Sequence, residues 1–125
     1  MAEKIDDKKY YELRQEVRKL YKHDTNYEGD LCSRILEIRD KYKCVDSINV
    51  SLSDYSISIE FEEGTQPNKI DNIVSLVITR LSEFVEANKD DLNITNKEEF
   101  RTFIDPVNYL LCDVIVLGNS AEFCL

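Results

Sequence analysis

Few side chains in this sequence have the types and spacing that catalysis or metal binding requires. His23 is the single histidine, and it is predicted to end a helix, where a positive charge interacts favourably with the helix dipole. Glu60 and Glu62 share one strand face, but two carboxylates without a further ligand are a weak signal for Ca²⁺ or Mg²⁺. With only 3 glycines, the chain has no glycine-rich loop to cradle a phosphate. The sequence therefore predicts no catalytic residue, no metal ligand and no cofactor.

The cysteine spacing and the N-terminal sequence indicate the cellular compartment. Cys32, Cys44, Cys112 and Cys124 are far apart and form no C-x-x-C pair of the zinc or thioredoxin-like type. The segment 1–7 has no apolar stretch of a secretory signal, and no apolar run approaches the roughly 18 residues of a membrane span. We therefore expect free thiols, a cytoplasmic location and no membrane partner.

Charge is distributed unevenly along the 125 residues. The 25 acidic and 16 basic side chains give a net charge of −9, which argues against charge-driven nucleic-acid binding by the body as a whole. Residues 1–53 carry 11 acidic and 11 basic side chains, whereas residues 54–125 carry 14 and 5. The negative part is either a solvated surface or a mimic of nucleic acid. A basic flank of the first helix, with Arg14 and Arg18, is either solvated, paired within the chain, paired with a second copy or in contact with phosphate.

Hydrophobic periodicity defines the elements that must position these side chains. Two apolar stripes at helical spacing predict a pair of helices joined by a short turn. The second helix is predicted to begin with a capping box from Thr25 to Glu28. The stripes comprise Tyr10, Leu13, Val17 and Leu20 in the first helix and Leu31, Ile35, Ile38 and Tyr42 in the second.

The middle of the chain changes from a period of two to a helical period. Alternating apolar residues in 47–53 and 57–61 predict a two-stranded antiparallel hairpin with one wet face. Pro67 then opens a long amphipathic helix that ends near Asn88. A second capping box, from Thr95 to Glu98, predicts a short helix.

The apolar block 107–117 has two interpretations. Asp105, Pro106 and Gly118 have the positions of helix boundary signals, and they favour a helix. The abundance of β-branched residues up to Leu117 favours a strand that extends the hairpin. The sequence thus predicts one α+β domain spanning 1–125, with a helical hairpin, a two-stranded antiparallel β-hairpin, a long helix, and one or two C-terminal helices unless the last segment is a strand.

Seven tyrosines add a weak signal for a protein-binding surface, because Tyr offers large contact area at low entropic cost. We therefore predict a small, acidic, non-catalytic protein-binding domain, such as an inhibitor, adaptor or immunity-type factor, that occludes or bridges the surface of a larger protein. The alternatives are a homo-oligomeric structural subunit that associates through the C-terminal apolar segment, and a small carboxylate- or metal-dependent enzyme. The frequent Ile, Asn, Lys and Asp suggest a gene from a low-GC bacterium or its phage. The candidate partner-binding residues are Tyr11, Arg14, Arg18, Tyr27, Glu60 and Glu62.

Overall fold

Pairs of helices alternate with pairs of strands along the chain in the computed structural model, which describes residues 5–22 and 26–125. His23 and the predicted cap Thr25 lie outside the described residues. Two short 3₁₀ turns, Leu52–Asp54 and Lys89–Asp91, join regular elements. The elements are α1 (Asp7–Tyr21), α2 (Glu28–Lys41), β1 (Val45–Ser51), β2 (Ser56–Phe61), α3 (Pro67–Ala87), α4 (Lys97–Ile104), β3 (Asp113–Leu117) and β4 (Ser120–Cys124).

Helix starts follow from side chains that satisfy the first free backbone N–H groups. The Asp6 carboxylate caps α1 by accepting the N–H of Lys9 at 2.9 Å. Pro67 occupies the first turn of α3, as predicted. The α4 cap lies one residue later than predicted, because the Asn96 side chain, rather than that of Thr95, accepts the N–H groups of the second and third helical residues.

Long helix α3 is the centre of the helical layer. It contacts α2 and α4, and its predicted apolar stripe is buried throughout. None of the described helices has the combination of length and hydropathy needed to cross a membrane. The buried stripe consists of Ile70, Ile73, Val74, Val77, Ile78, Leu81, Phe84 and Val85.

The four strands form one antiparallel sheet in the order β1-β2-β4-β3. Ile59 of β2 pairs with Ile48 on one side and with Ala121 on the other, and Ile57 pairs with Phe123. These residues are buried on the inner face of the sheet. β2 and β4 are therefore interior strands, whereas β1 and β3 are the two edges.

The segment that follows Pro106 forms a turn and a β-hairpin, and the helix favoured from the boundary signals is wrong. The Asp105 carboxylate accepts the N–H of Val107 at 2.9 Å in the turn, so its capping chemistry serves a turn. Gly118, with φ of +60°, and Asn119 form the two-residue connection between β3 and β4. Residues 113–124 form a β-hairpin because this arrangement pairs β4 with the open side of β2 and buries Phe123.

Candidate functional site

Edge strand β3 presents apolar side chains to solvent. Its fractional exposures reach 49% for Ile115, 43% for Val116 and 71% for Leu117. Val107 and Tyr109, in the preceding turn, are exposed as well. Of the eight strongly exposed large apolar residues in the described chain, five thus lie within 107–117. Exposed apolar residues are common when scattered singly, but a cluster of this kind marks an interaction surface.

The hairpin register also determines which backbone groups of β3 are free. Leu117 and Ser120 close the two-residue turn, so they form a hydrogen-bonded pair. Because antiparallel pairs alternate, Ile115 and Asp113 also direct their backbone groups towards β4. The N–H and C=O groups of Val114 and Val116 therefore point to the free edge, where another strand can pair with them.

The opposite edge of the sheet, β1, is protected in ways that β3 is not. A bulge interrupts the β1 register between Val45 and Ser47, and the exposed Asp46 lies at the bulge. Helix α2 packs against the strand. Bulges and charges on edge strands prevent the pairing of sheets between molecules. The described part of β3 has no bulge and carries one charge, Asp113, at its first position.

A groove of about 380 Å³ lies between α3 and the start of β3. Asp71 of α3 is exposed beside it and forms no ion pair with a described residue. Tyr109 has a left-handed φ of 52°, and its hydroxyl lies 3.1 Å from that of Ser75 in α3. The groove thus offers an apolar wall and two carboxylates along one edge of the sheet. It is lined by Asp71, Val74, Tyr109, Cys112, Asp113 and Val114.

The chain segment that contains β3 is acidic. From Thr102 to the last residue, the sequence contains no Lys or Arg and three acids, Asp105, Asp113 and Glu122. Exposed Glu122 lies directly across from Ile115 on the open face. The edge therefore combines apolar side chains, free backbone groups and negative charge.

Arg14 and Arg18 of α1 hold the end of β4. Two guanidinium nitrogens of Arg18 donate to the main-chain oxygen of Leu125 at 3.1 and 2.9 Å, and the group lies 4.6 Å from the centre of the Tyr55 ring. Arg14 donates to the oxygens of Cys124 at 2.6 Å and Leu125 at 3.2 Å. The N–H of Leu125 in turn donates to the carbonyl oxygen of Tyr55 at 2.7 Å. We call these five residues the C-terminal clasp.

The clasp reaches β3 through an ion pair. Arg14 Nη1 lies 2.8 Å from a carboxylate oxygen of Asp113, at the start of β3. Burial alone would lower the pKa of Arg14, but its hydrogen bonds and the charges of Asp113 and Tyr10 raise it above the ordinary value. Arg14 is therefore a permanent cation in the clasp. Of the alternatives for the basic flank, pairing within the chain is confirmed for Arg14 and Arg18.

Neighbouring Cys112 and Tyr21 are buried and unreactive. Burial raises the pKa of the Cys112 thiol to about 12, because it outweighs the lowering effect of the Arg14 charge, and Asp113 and Cys124 add smaller upward contributions. Burial likewise raises the pKa of Tyr21. Neither the Tyr21 hydroxyl nor Arg14 Nε has a hydrogen-bond partner among the described residues. All four cysteines are free thiols.

The two tyrosines predicted to bind a partner lie in different surroundings. Tyr11 is 64% exposed on α1. Tyr27 is half-buried, since its ring packs edge-on against Phe84 with centroids 6.3 Å apart and its hydroxyl donates to Asp91. Tyr11 thus remains a free surface residue, whereas Tyr27 contributes to the packing between the start of α2 and the end of α3.

Glu60 and Glu62 are exposed, but neither lies on an edge strand of the sheet. β2 is an interior strand, and Glu60 pairs with Ser47 on one side and Ser120 on the other. Glu62 follows β2, and its N–H donates to the Cys44 carbonyl oxygen at 2.8 Å. Among residues 5–22 and 26–125, no three His, Cys, Asp or Glu side chains are grouped as metal ligands.

The sequence analysis kept a strand as one interpretation of 107–117, but it did not identify the hairpin that makes β3 an edge, although a signal for that hairpin was present. Gly-Asn between two short β-prone runs is a hairpin signal, and here Gly118 and Asn119 separate 113–117 from 120–124. The candidate functional site consists of this edge and the groove beside it. No protein-family model, curated protein or solved structure matches the chain.

Proposed function

We propose that this protein is a small, non-catalytic, protein-binding domain that pairs an extended segment of a larger protein with β3. The observation that carries the proposal is the free edge of β3, where open backbone groups coincide with exposed apolar side chains. Adding a strand to such an edge is a general mode of peptide recognition. The domain then acts as an inhibitor, adaptor or immunity-type factor by occluding the bound segment or bridging it to another surface.

The energetics of strand addition favour this edge over the rest of the surface. Pairing satisfies the outward N–H and C=O groups of Val114 and Val116 without disturbing the existing register. It also removes the side chains of Ile115, Val116 and Leu117 from water, at roughly 25 cal/mol for each Å² of apolar area buried. Backbone hydrogen bonds provide affinity in this mode, and the flanking side chains provide specificity.

The cytoplasm is the compartment that we propose for this activity. The four free cysteines support it, because thiols persist in a reducing environment. The bacterial or phage origin inferred from composition is compatible with a factor of this size.

The test is capture and reconstitution with a matched pair of variants. The wild type, V116P and L36S are immobilised and exposed to an extract of the cells that produce the protein. Captured proteins are identified, purified and titrated against each variant. Proline removes the outward N–H of Val116, so V116P is expected to bind the purified partner at least about tenfold more weakly. L36S changes an exposed apolar residue of α2, away from β3 in the chain, and is expected to bind like the wild type.

Two results would overturn the proposal. The first is a purified partner that binds V116P as tightly as the wild type, with circular dichroism showing that V116P is folded. The second is a partner whose binding is lost in Y11A but unchanged in V116P, which would place the binding surface on α1. Arg18 is unsuitable as a surface variant because its side chain belongs to the C-terminal clasp.

A further inference from the structure

We infer that the segment bound by β3 is an extended stretch with basic side chains at the Asp113 end and apolar side chains at the Leu117 end. The inference rests on the proposed function and adds the chemistry of the partner to it. It is carried by the groove beside β3 and by the distribution of charge and apolar surface along the strand.

The inner side of an added strand would lie over the groove. Its residue opposite Val114 would extend from the edge towards α3, because side chains on paired strands share a face. The groove there has a volume of about 380 Å³, and its lining includes Asp71 of α3 and Asp113 at the start of β3. A Lys or Arg side chain can lay its methylene stem against Val74 and place its charge beside Asp71. The residue opposite Val116 lies beyond these carboxylates, next to an exposed apolar side chain.

The outer side of an added strand would meet the same gradient. Its residue opposite Asp113 lies beside a carboxylate whose side chain is 65% exposed even with Arg14 bound to it. Residues opposite Ile115 and Leu117 lie beside apolar side chains. Cross-strand pairs of opposite charge and of apolar residues both stabilise a sheet. Both faces therefore favour the same order, with basic residues at one end and apolar residues at the other.

A second copy of this chain fits the edge less well. Antiparallel pairing of β3 with itself about Ile115 would place the Asp113 carboxylate opposite the apolar Leu117 of the other copy. Each copy also carries a net charge of −9, and residues 102–125 contribute no cation to offset the repulsion. A basic partner removes both disadvantages.

The test uses two defined peptides with blocked ends, Val-Ile-Val-Thr-Lys-Arg-Lys and its reverse, so that both strand directions are sampled. Control peptides replace the three basic residues with Glu. We expect at least one basic peptide to bind saturably and to shift the backbone amide NMR signals of Val114 and Val116. Its affinity should fall as the salt concentration increases. The Glu peptides are expected to bind at least about tenfold more weakly, because they place like charges beside Asp71 and Asp113.

A matched pair of variants separates a local contact from the overall charge. D71N is expected to lower the affinity for the basic peptide by about two- to fivefold, which corresponds to the loss of one partly exposed ion pair. D90N changes the net charge equally at the far end of α3 and is expected to leave binding unchanged. Equal weakening in D71N and D90N would overturn the inference, as would equal binding of the basic and Glu peptides.

The occupant itself is tested by light scattering of the wild type without peptide. Dimerisation that I115K abolishes would overturn the inference in favour of a second copy. Failure of the peptides to discriminate by charge, while the purified partner still distinguishes V116P from the wild type, would reject the basic segment and leave the proposed function standing. A purified partner that binds V116P as tightly as the wild type would reject both the proposed function and the basic segment.

Discussion

β3 and β4 are the two strands of one hairpin, yet they have opposite roles in the molecule. β4 pairs on both sides, and its inward residues Ala121 and Phe123 are buried, as is Leu125 after it. β3 pairs on one side, and its more continuously apolar sequence remains largely exposed. The difference shows that position in the sheet, rather than the apolar content of a strand, determines burial. β4 stabilises the fold, whereas β3 is available to a partner.

The largest expected effect is in β4, at Phe123. F123A removes a fully buried ring from the centre of the sheet and leaves a cavity, so it should lower the free energy of unfolding by about 3–5 kcal/mol. L117A is the corresponding change in β3. It should lower the free energy of unfolding by less than about 1 kcal/mol, because the Leu117 side chain is mostly exposed. Urea denaturation monitored by circular dichroism measures both. Similar losses in the two variants would contradict the division between the strands.

An intermediate effect is expected at Arg14, which joins the two strands to α1. R14M removes its hydrogen bonds to the Cys124 and Leu125 oxygens and its ion pair with Asp113. Hydrogen bonds from a charged donor are worth about 1.5–3 kcal/mol, and the exposed Asp113 contact adds little, so we expect a loss of about 2 kcal/mol.

The control for R14M is K19M on the same helix. Lys19 is exposed, and its ion pair among the described residues is with Glu16, so the change should alter stability by less than about 0.5 kcal/mol. Hydrogen exchange should show faster opening of β4 in R14M and not in K19M. An unchanged exchange rate for β4 in R14M would show that the clasp does not hold the strand.

The smallest effect on stability, together with a large effect on binding, is expected in β3. I115K places a charge on the exposed face of an edge strand, where lysine is tolerated, and should change stability by less than about 0.5 kcal/mol. The same variant should lower the affinity for the proposed basic partner, because it adds a positive charge to the edge that pairs with that partner. Thermal unfolding tests the expected stability of I115K, and titration with the partner tests its expected loss of affinity. A strongly destabilised I115K would show that β3 contributes to the core.

Much of the fold was predictable because periodicity reports which face of an element is buried. The sequence predicted α3 as a long amphipathic helix that opens at Pro67, and the alternation in 47–61 predicted the first hairpin. The final segment was harder, because Asp105, Pro106 and Gly118 serve helices and turns alike. Only the pairing of β4 with β2 decides between the two readings, and that contact joins residues about sixty positions apart.

The candidate site was less predictable than the fold. Sequence reasoning identified Arg14 and Arg18 as unusual, but their role in holding Leu125 depends on contacts more than a hundred residues away in the chain. Tyr27 was expected at the surface, yet it packs on Phe84 because α2 and α3 are adjacent. Glu60 lies on the predicted wet face, but its strand has a neighbour on each side.

The sequence by itself determined the four helices α1–α4, the first hairpin, the burial of α3 and the concentration of negative charge after residue 53, since these depend on local spacing and composition. The tertiary structure alone decided which strands are edges, that β4 is interior, and that the most apolar run of the C-terminal part faces solvent. The physical reason is that a strand obtains its burial and half of its hydrogen bonds from neighbours that its own sequence does not specify. The site that we propose for a partner is where one such neighbour is missing in the described chain.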